Sequence, residues 1–240
     1  MYFVLAVLAS LSFSELIIAT CKIISIPLSF VIIYFSYKFY KITTFTTLQS
    51  FAIGFAFILV GDVLILFNIM MDTEYHNEIL WIKAILMSYG FSFIAASYYY
   101  KSKSGNTLRS INHIFSLAII PVVFIIVILS VLDVIDLFDY FTVEEYLRVY
   151  NLLILGYIIK HVLDSIILSG RKELVYIPLA FVILWFGQFS ALIYSFEGDN
   201  VTMILRVLFK TIGLSIIAVI ILQITKGTRP PKSKLQKEMF

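Results

Sequence analysis

The chain has 240 residues, 61% hydrophobic and 14% charged, with a formal net charge of +3. Such a composition excludes an ordinary soluble domain, and so small a positive excess carries no indication of a nucleic-acid partner. A single cysteine, Cys21, excludes an intramolecular disulfide and reads as small apolar packing.

Taken in chain order, the apolar stretches predict seven membrane-spanning helices at 11–37, 48–70, 79–100, 111–132, 147–168, 174–196 and 201–225. Each reaches the roughly 20 residues that cross a hydrocarbon core. The expected fold is therefore an all-α integral membrane bundle, with residues 1–225 as one transmembrane domain and 226–240 as a basic tail containing Pro230 and Pro231. The start of the chain is apolar but lacks the basic n-region of a signal peptide. As continuous helix through Tyr37 it would run about 54 Å, so it either projects from the membrane or lies along its surface.

Between the spans the charges alternate in sign. The first, third and fifth connections and the tail carry twelve cations, among them Lys38, Lys101 and Arg171, against Glu173 and Glu238. The remaining connections carry ten carboxylates, among them Asp72, Asp133 and Glu197, against Arg148 alone. By the positive-inside rule the N-terminus is expected outside and the C-terminus in the cytoplasm of a cell membrane.

Two stretches repeat. Residues 55–62 read FAFILVGD and residues 181–188 read FVILWFGQ, so an offset of 126 sets Phe55 on Phe181, Gly61 on Gly187 and Asp62 on Gln188. At an offset of 123, Lys83, Gly90, Ser92, Ile94 and Ala95 fall on Arg206, Gly213, Ser215, Ile217 and Ala218. The pattern predicts three helices (about 11–100), a linker helix (111–132) and three helices again (about 147–225). The odd linker keeps the two copies parallel, a plan known among transporters.

This three-one-three arrangement resembles the seven-helix sugar-transporting SWEET and PQ-loop proteins, although no Pro-Gln pair occurs. It also resembles the microbial rhodopsins, whose retinal lysine would correspond to Lys210. One turn earlier, where that family has an acid, stands Arg206, and the third span offers no carboxylate counter-ion. The run Gly61, Asp62, Val63, Leu64 resembles the Gly-Asp signature of lysoplasmalogenase-like membrane hydrolases. That resemblance implies a second intramembrane acid, and the matched position here is Gln188.

Ionisable groups inside spans are costly and mark function by default. Glu15, Lys22, Asp62, Lys83, Gln188, Arg206 and Lys210 come from five spans and fall at about 6–16 Å below the outer ends, by a rise of 1.5 Å per residue. They predict one outward-facing polar cavity that binds an anionic small molecule or lipid headgroup. The competing expectation is structural pairing, Asp62 with Lys22 or Lys83 and Glu15 with Arg206. Lys160 and Asp164, one turn apart, read as a local ion pair, His161 as packing, and Trp185 as core filler with lining of the cavity as the alternative. No spacing of histidines suits a metal, no cofactor motif occurs, and no catalytic set is assigned. The function expected is binding of a small solute or lipid in the bilayer, with transport as its extension. The alternatives are a sensor subunit, which would need a protein partner, and the lipid hydrolase.

Overall fold

The computed structural model describes residues 13–43, 46–71, 76–99, 140–169, 175–197 and 200–227. They form six helices: α1 (Phe13–Thr43), α2 (Thr46–Met71), α3 (His76–Tyr99), α4 (Tyr140–Ser169), α5 (Tyr176–Glu197) and α6 (Asn200–Gly227). Helices are the form these segments must take in lipid, where each backbone group has to find its partner within the segment. Polar side chains join the same economy of bonds. Ser88 donates to the Ala84 carbonyl at 3.0 Å, Ser92 to Ser88 at 2.7 Å, Thr211 to Val207 at 2.9 Å and Ser215 to Thr211 at 2.8 Å. Pro178 sits in the first turn of α5, where its missing N–H costs nothing, and does not kink the helix from within. Pro27 does lie inside α1.

Five helices contain stretches long and apolar enough to cross a membrane: Leu16–Ile42, Leu48–Ile69, Ile79–Tyr98, Tyr176–Tyr194 and Asn200–Gln223. The 30-residue α4 is not among them and carries Glu144, Glu145, Arg148, Lys160 and Asp164. The expected fourth span, 111–132, lies outside the described residues. Ile23, Phe30, Phe67, Phe186, Leu208 and Val219 turn outward as exposed apolar side chains. Such a surface fits a polytopic membrane protein in a lipid bilayer.

The helices close a ring. Each packs mainly on its neighbours in chain order, and α6 returns to α1. Through the centre runs one apolar core that includes Ile32, Phe55, Ile94, Leu155, Ile158, Phe181 and Leu214. Phe51 meets Phe181 edge-on at 6.1 Å between centroids, tying α2 to α5. The α2–α3 crossing is close because it is built on glycine. A Cβ on Gly54 would stand 2.6 Å from the Gly90 carbonyl oxygen, and one on Gly90 would stand 2.6 Å from that of Gly54. At the α5–α6 crossing, a Cβ on Gly213 would stand 2.8 Å from Leu184 Cγ and 3.1 Å from the Ala180 oxygen. Small residues let membrane helices gain contact area where no hydrophobic effect drives them together.

Candidate functional site

A cavity of about 380 Å³ opens among the helices at the end of the ring where α1, α3, α4 and α6 begin. Lys22 (α1), Lys83 (α3), Arg148 and Glu144 (α4), Gln188 (α5), and Arg206 and Lys210 (α6) line it. Apolar residues complete the wall, among them Ile65 and Ile69 from α2, Leu80 and Met87 from α3, and Met203 from α6. Five of the seven residues expected from sequence therefore share one space.

Asp62 stands immediately behind the wall as the anchor of the cluster. Its carboxylate is almost fully buried and accepts from Lys210 Nζ at 2.7 Å on each oxygen, from Lys22 Nζ on Oδ1, and from Ser25 Oγ at 3.4 Å on Oδ2. One side chain thereby joins α1, α2 and α6. Of the two cations expected to pair with Asp62, Lys22 does so and Lys83 does not. Lys210 takes that place, because it reaches across from α6 whereas Lys83 projects beside Gly61. The Glu15 side chain lies outside the described residues, and among those described the carboxylate nearest Arg206 is Glu144 at 3.8 Å.

Glu144 and Arg148 were not legible as cavity residues from composition, since they read as loop charges ahead of the fifth span. The helix begins at Tyr140, seven residues before Leu147, and so carries both into the bundle. Arg148 is buried, holds Glu144 at 2.5 Å one turn away, and donates to the Ala191 carbonyl on α5. A signal for them was present: adding 126 to Lys22 gives Arg148.

Gln188 is buried, its Nε2 3.6 Å from the sulfur of Met87, while its Oε1 meets no hydrogen-bond donor among the described residues. Trp185 does not line the cavity. Its indole N–H donates to the Leu152 carbonyl at 3.1 Å and its ring stacks on Phe189, which makes it a link between α4 and α5. Lys160 and Asp164 are both exposed on α4, and no ion pair joins them. His161 packs on the Tyr157 ring at 4.2 Å.

Among the described residues, five cations thus meet two carboxylates around one cavity, and three positive charges have no carboxylate of their own. A space of this size lies within the range of small-molecule pockets, which run from about 300 to 1,000 Å³. Such an arrangement can hold a negatively charged group.

A family of unknown function, DUF7521, matches residues 18–99, which run from Ile18 in α1 to the end of α3. No curated protein and no solved structure matches the chain.

Proposed function

We propose that this chain is a multi-pass protein of the cell membrane, N-terminus outside and C-terminus cytoplasmic, that binds a small anionic solute or headgroup in the cavity. The observation that carries the reading is the excess of cations around a space large enough for a ligand. Buried charge is costly unless answered by charge of opposite sign, and Asp62 and Glu144 bring two negative charges against five cations. Carriage of the anion across the membrane is the extension of this reading. The hydrolase alternative finds little support, because both Asp62 oxygens are held by Lys210 and a neutral amide, Gln188, stands at the matched position.

We read the bundle further as two three-helix halves, α1–α3 and α4–α6, joined through the span expected at 111–132. Burial supports this. The inward face of α1 holds Ile18, Lys22, Ser25, Ser29, Ile32 and Ser36, and α4 buries Glu144, Arg148, Asn151, Leu155, Ile158 and Val162, each 126 positions later. Contacts support it as well. Gly90 against Gly54 and Ile58 has its counterpart in Gly213 against Ala180 and Leu184. The Ser92–Ser88 bond has its counterpart in Ser215–Thr211. Lys210 on Asp62 answers to Met87 beside Gln188.

The test is calorimetric titration of the purified protein in neutral detergent with inorganic phosphate and simple carboxylates, each paired with its neutral amide or alcohol analogue. Saturable binding confined to the anions is the expected result. Equal binding of the neutral analogues, or none by any anion, would remove the reading.

A further inference from the structure

The charged layer of the cavity is unequal from side to side. On one side Asp62 already answers Lys22 and Lys210. On the other, the residue 126 positions later is Gln188, whose buried Oε1 finds no donor among the described residues and whose Nε2 has only the weak acceptor of Met87 at 3.6 Å. Lys83 lines the same space, half-buried, and makes neither a salt bridge nor a hydrogen bond among the described residues. Arg206, Lys22, Glu144 and Lys210 lie within electrostatic reach of its Nζ. Among the described residues Arg206 has a carboxylate only at 3.8 Å, and Arg148 already holds that carboxylate at 2.5 Å. This half of the site gathers two cations and an amide around one shared carboxylate, Glu144.

Above and below that layer the wall is mainly apolar, with Asn68 on α2 and Tyr194 on α5 as its polar members. One turn from Lys83 toward the start of α3 is Leu80, one turn from Arg206 toward the start of α6 is Met203, and Ile65 and Ile69 follow Asp62 toward the end of α2. These four form a collar nearer the helix ends. Deeper in, Met87, Phe91 and Leu184 close the floor.

Resting on the anion-binding reading above, we infer that the cavity takes a small amphiphilic anion. Its carboxylate or phosphate head sits between Lys83 and Arg206 beside the Gln188 amide, and its apolar body lies against the collar of Ile65, Ile69, Leu80 and Met203. The cations and the amide supply donors for a charged head, whereas the four collar side chains offer only apolar contact to the body. A volume near 380 Å³ corresponds to about a dozen water-sized groups. It therefore admits a head with a short chain and cannot enclose both chains of a diacyl phospholipid.

The experiment uses the full chain in neutral detergent. It titrates straight-chain carboxylates from acetate to decanoate, the matching alkyl phosphates, and alcohols of equal length as uncharged controls. Affinity for the anions should rise about fourfold per added methylene until the cavity is full and then level off. Lys83→Gln and Arg206→Gln should each weaken octanoate binding at least about tenfold, the loss of one charge-assisted contact. Should Arg206→Gln fail to fold, Lys83→Gln decides, because Lys83 gives up no partner among the described residues. Equal affinity for acetate and octanoate would overturn the role of the collar and leave anion binding standing, whereas silence of every anion would overturn both. Octanoate binding by Lys83→Gln that equals wild type would overturn the placement of the head. Binding seen only with vesicles of a diacyl anionic phospholipid would make a membrane lipid the occupant and overturn the free amphiphile.

Discussion

Replacing Asp62 with Asn removes one charge and almost no volume, so the substitution isolates electrostatics from packing. In the native bundle Asp62 takes two contacts of 2.7 Å from Lys210, one from Lys22, and a longer one from Ser25. An amide keeps one acceptor oxygen but turns an N–H₂ donor toward an ammonium that is itself donor only. Lys22 and Lys210 are then left beside each other with no carboxylate between them. Removing one partner of a buried pair typically costs about 3–5 kcal/mol, because the remaining charge is uncompensated. At about 2–4 °C per kcal/mol for a chain of this size, Asp62→Asn should lower Tm by roughly 6–20 °C in neutral detergent. The double variant Asp62→Asn with Lys210→Met should be less damaged than the sum of its parts, with a coupling of about 0.5–3 kcal/mol. Thermal unfolding followed by circular dichroism reads both. A single variant that melts with wild type, or strictly additive losses, would show that these contacts do not hold α1, α2 and α6 together.

Three further outcomes follow from particular residues. Gly54→Ala should destabilise by about 1–3 kcal/mol, since the new methyl stands 2.6 Å from a backbone oxygen that has no rotamer by which to leave. Thermal unfolding that is unchanged would mean that α2 and α3 can part freely. The same chemical change at Gly156, where a new Cβ would meet nothing within 4 Å among the described residues outside its own helix backbone, should instead stabilise by about 0.5–1 kcal/mol through helix propensity. In a Cys21→Ala background, cysteine introduced in place of Asp199 should react with an impermeant maleimide on intact cells, and cysteine in place of Lys103 only after permeabilisation. The opposite pattern would invert the proposed topology.

Span length and loop composition locate the six described helices well, because the cost of placing unpaired backbone in lipid leaves little freedom. The stretch 48–70 lies within Thr46–Met71, and 201–225 within Asn200–Gly227. The largest departure at a helix start, at α4, has a physical origin. Glu144 and Arg148 satisfy each other one turn apart, so the helix can bury charge that a hydropathy reading assigns to water. The site is legible to the same degree: depth alone gathers Lys22, Lys83, Gln188, Arg206 and Lys210, since ionisable groups in a span turn inward or are lost. Depth does not say which cation meets which carboxylate. That choice depends on helix rotation, which sets Lys210 rather than Lys83 on Asp62.

The two proposed halves could have carried the same carboxylate twice. In the proposed pairing of halves, Asp62 and Lys210 stand where the other half has Gln188 and Met87, and the two contacts differ in kind. The first is charge-assisted at 2.7 Å and the second is an amide beside a thioether at 3.6 Å. Charge at one position therefore fixes three helices to each other without any ligand. Neutrality at the matched position leaves Lys83 and Arg206 with charge to spare on the face of the cavity. A second aspartate at 188 would supply an anion of its own to that side, so Gln188→Asp should raise Tm and lower affinity for added anions together. A rise in stability with undiminished binding would show that ligand and carboxylate do not compete for the same cations.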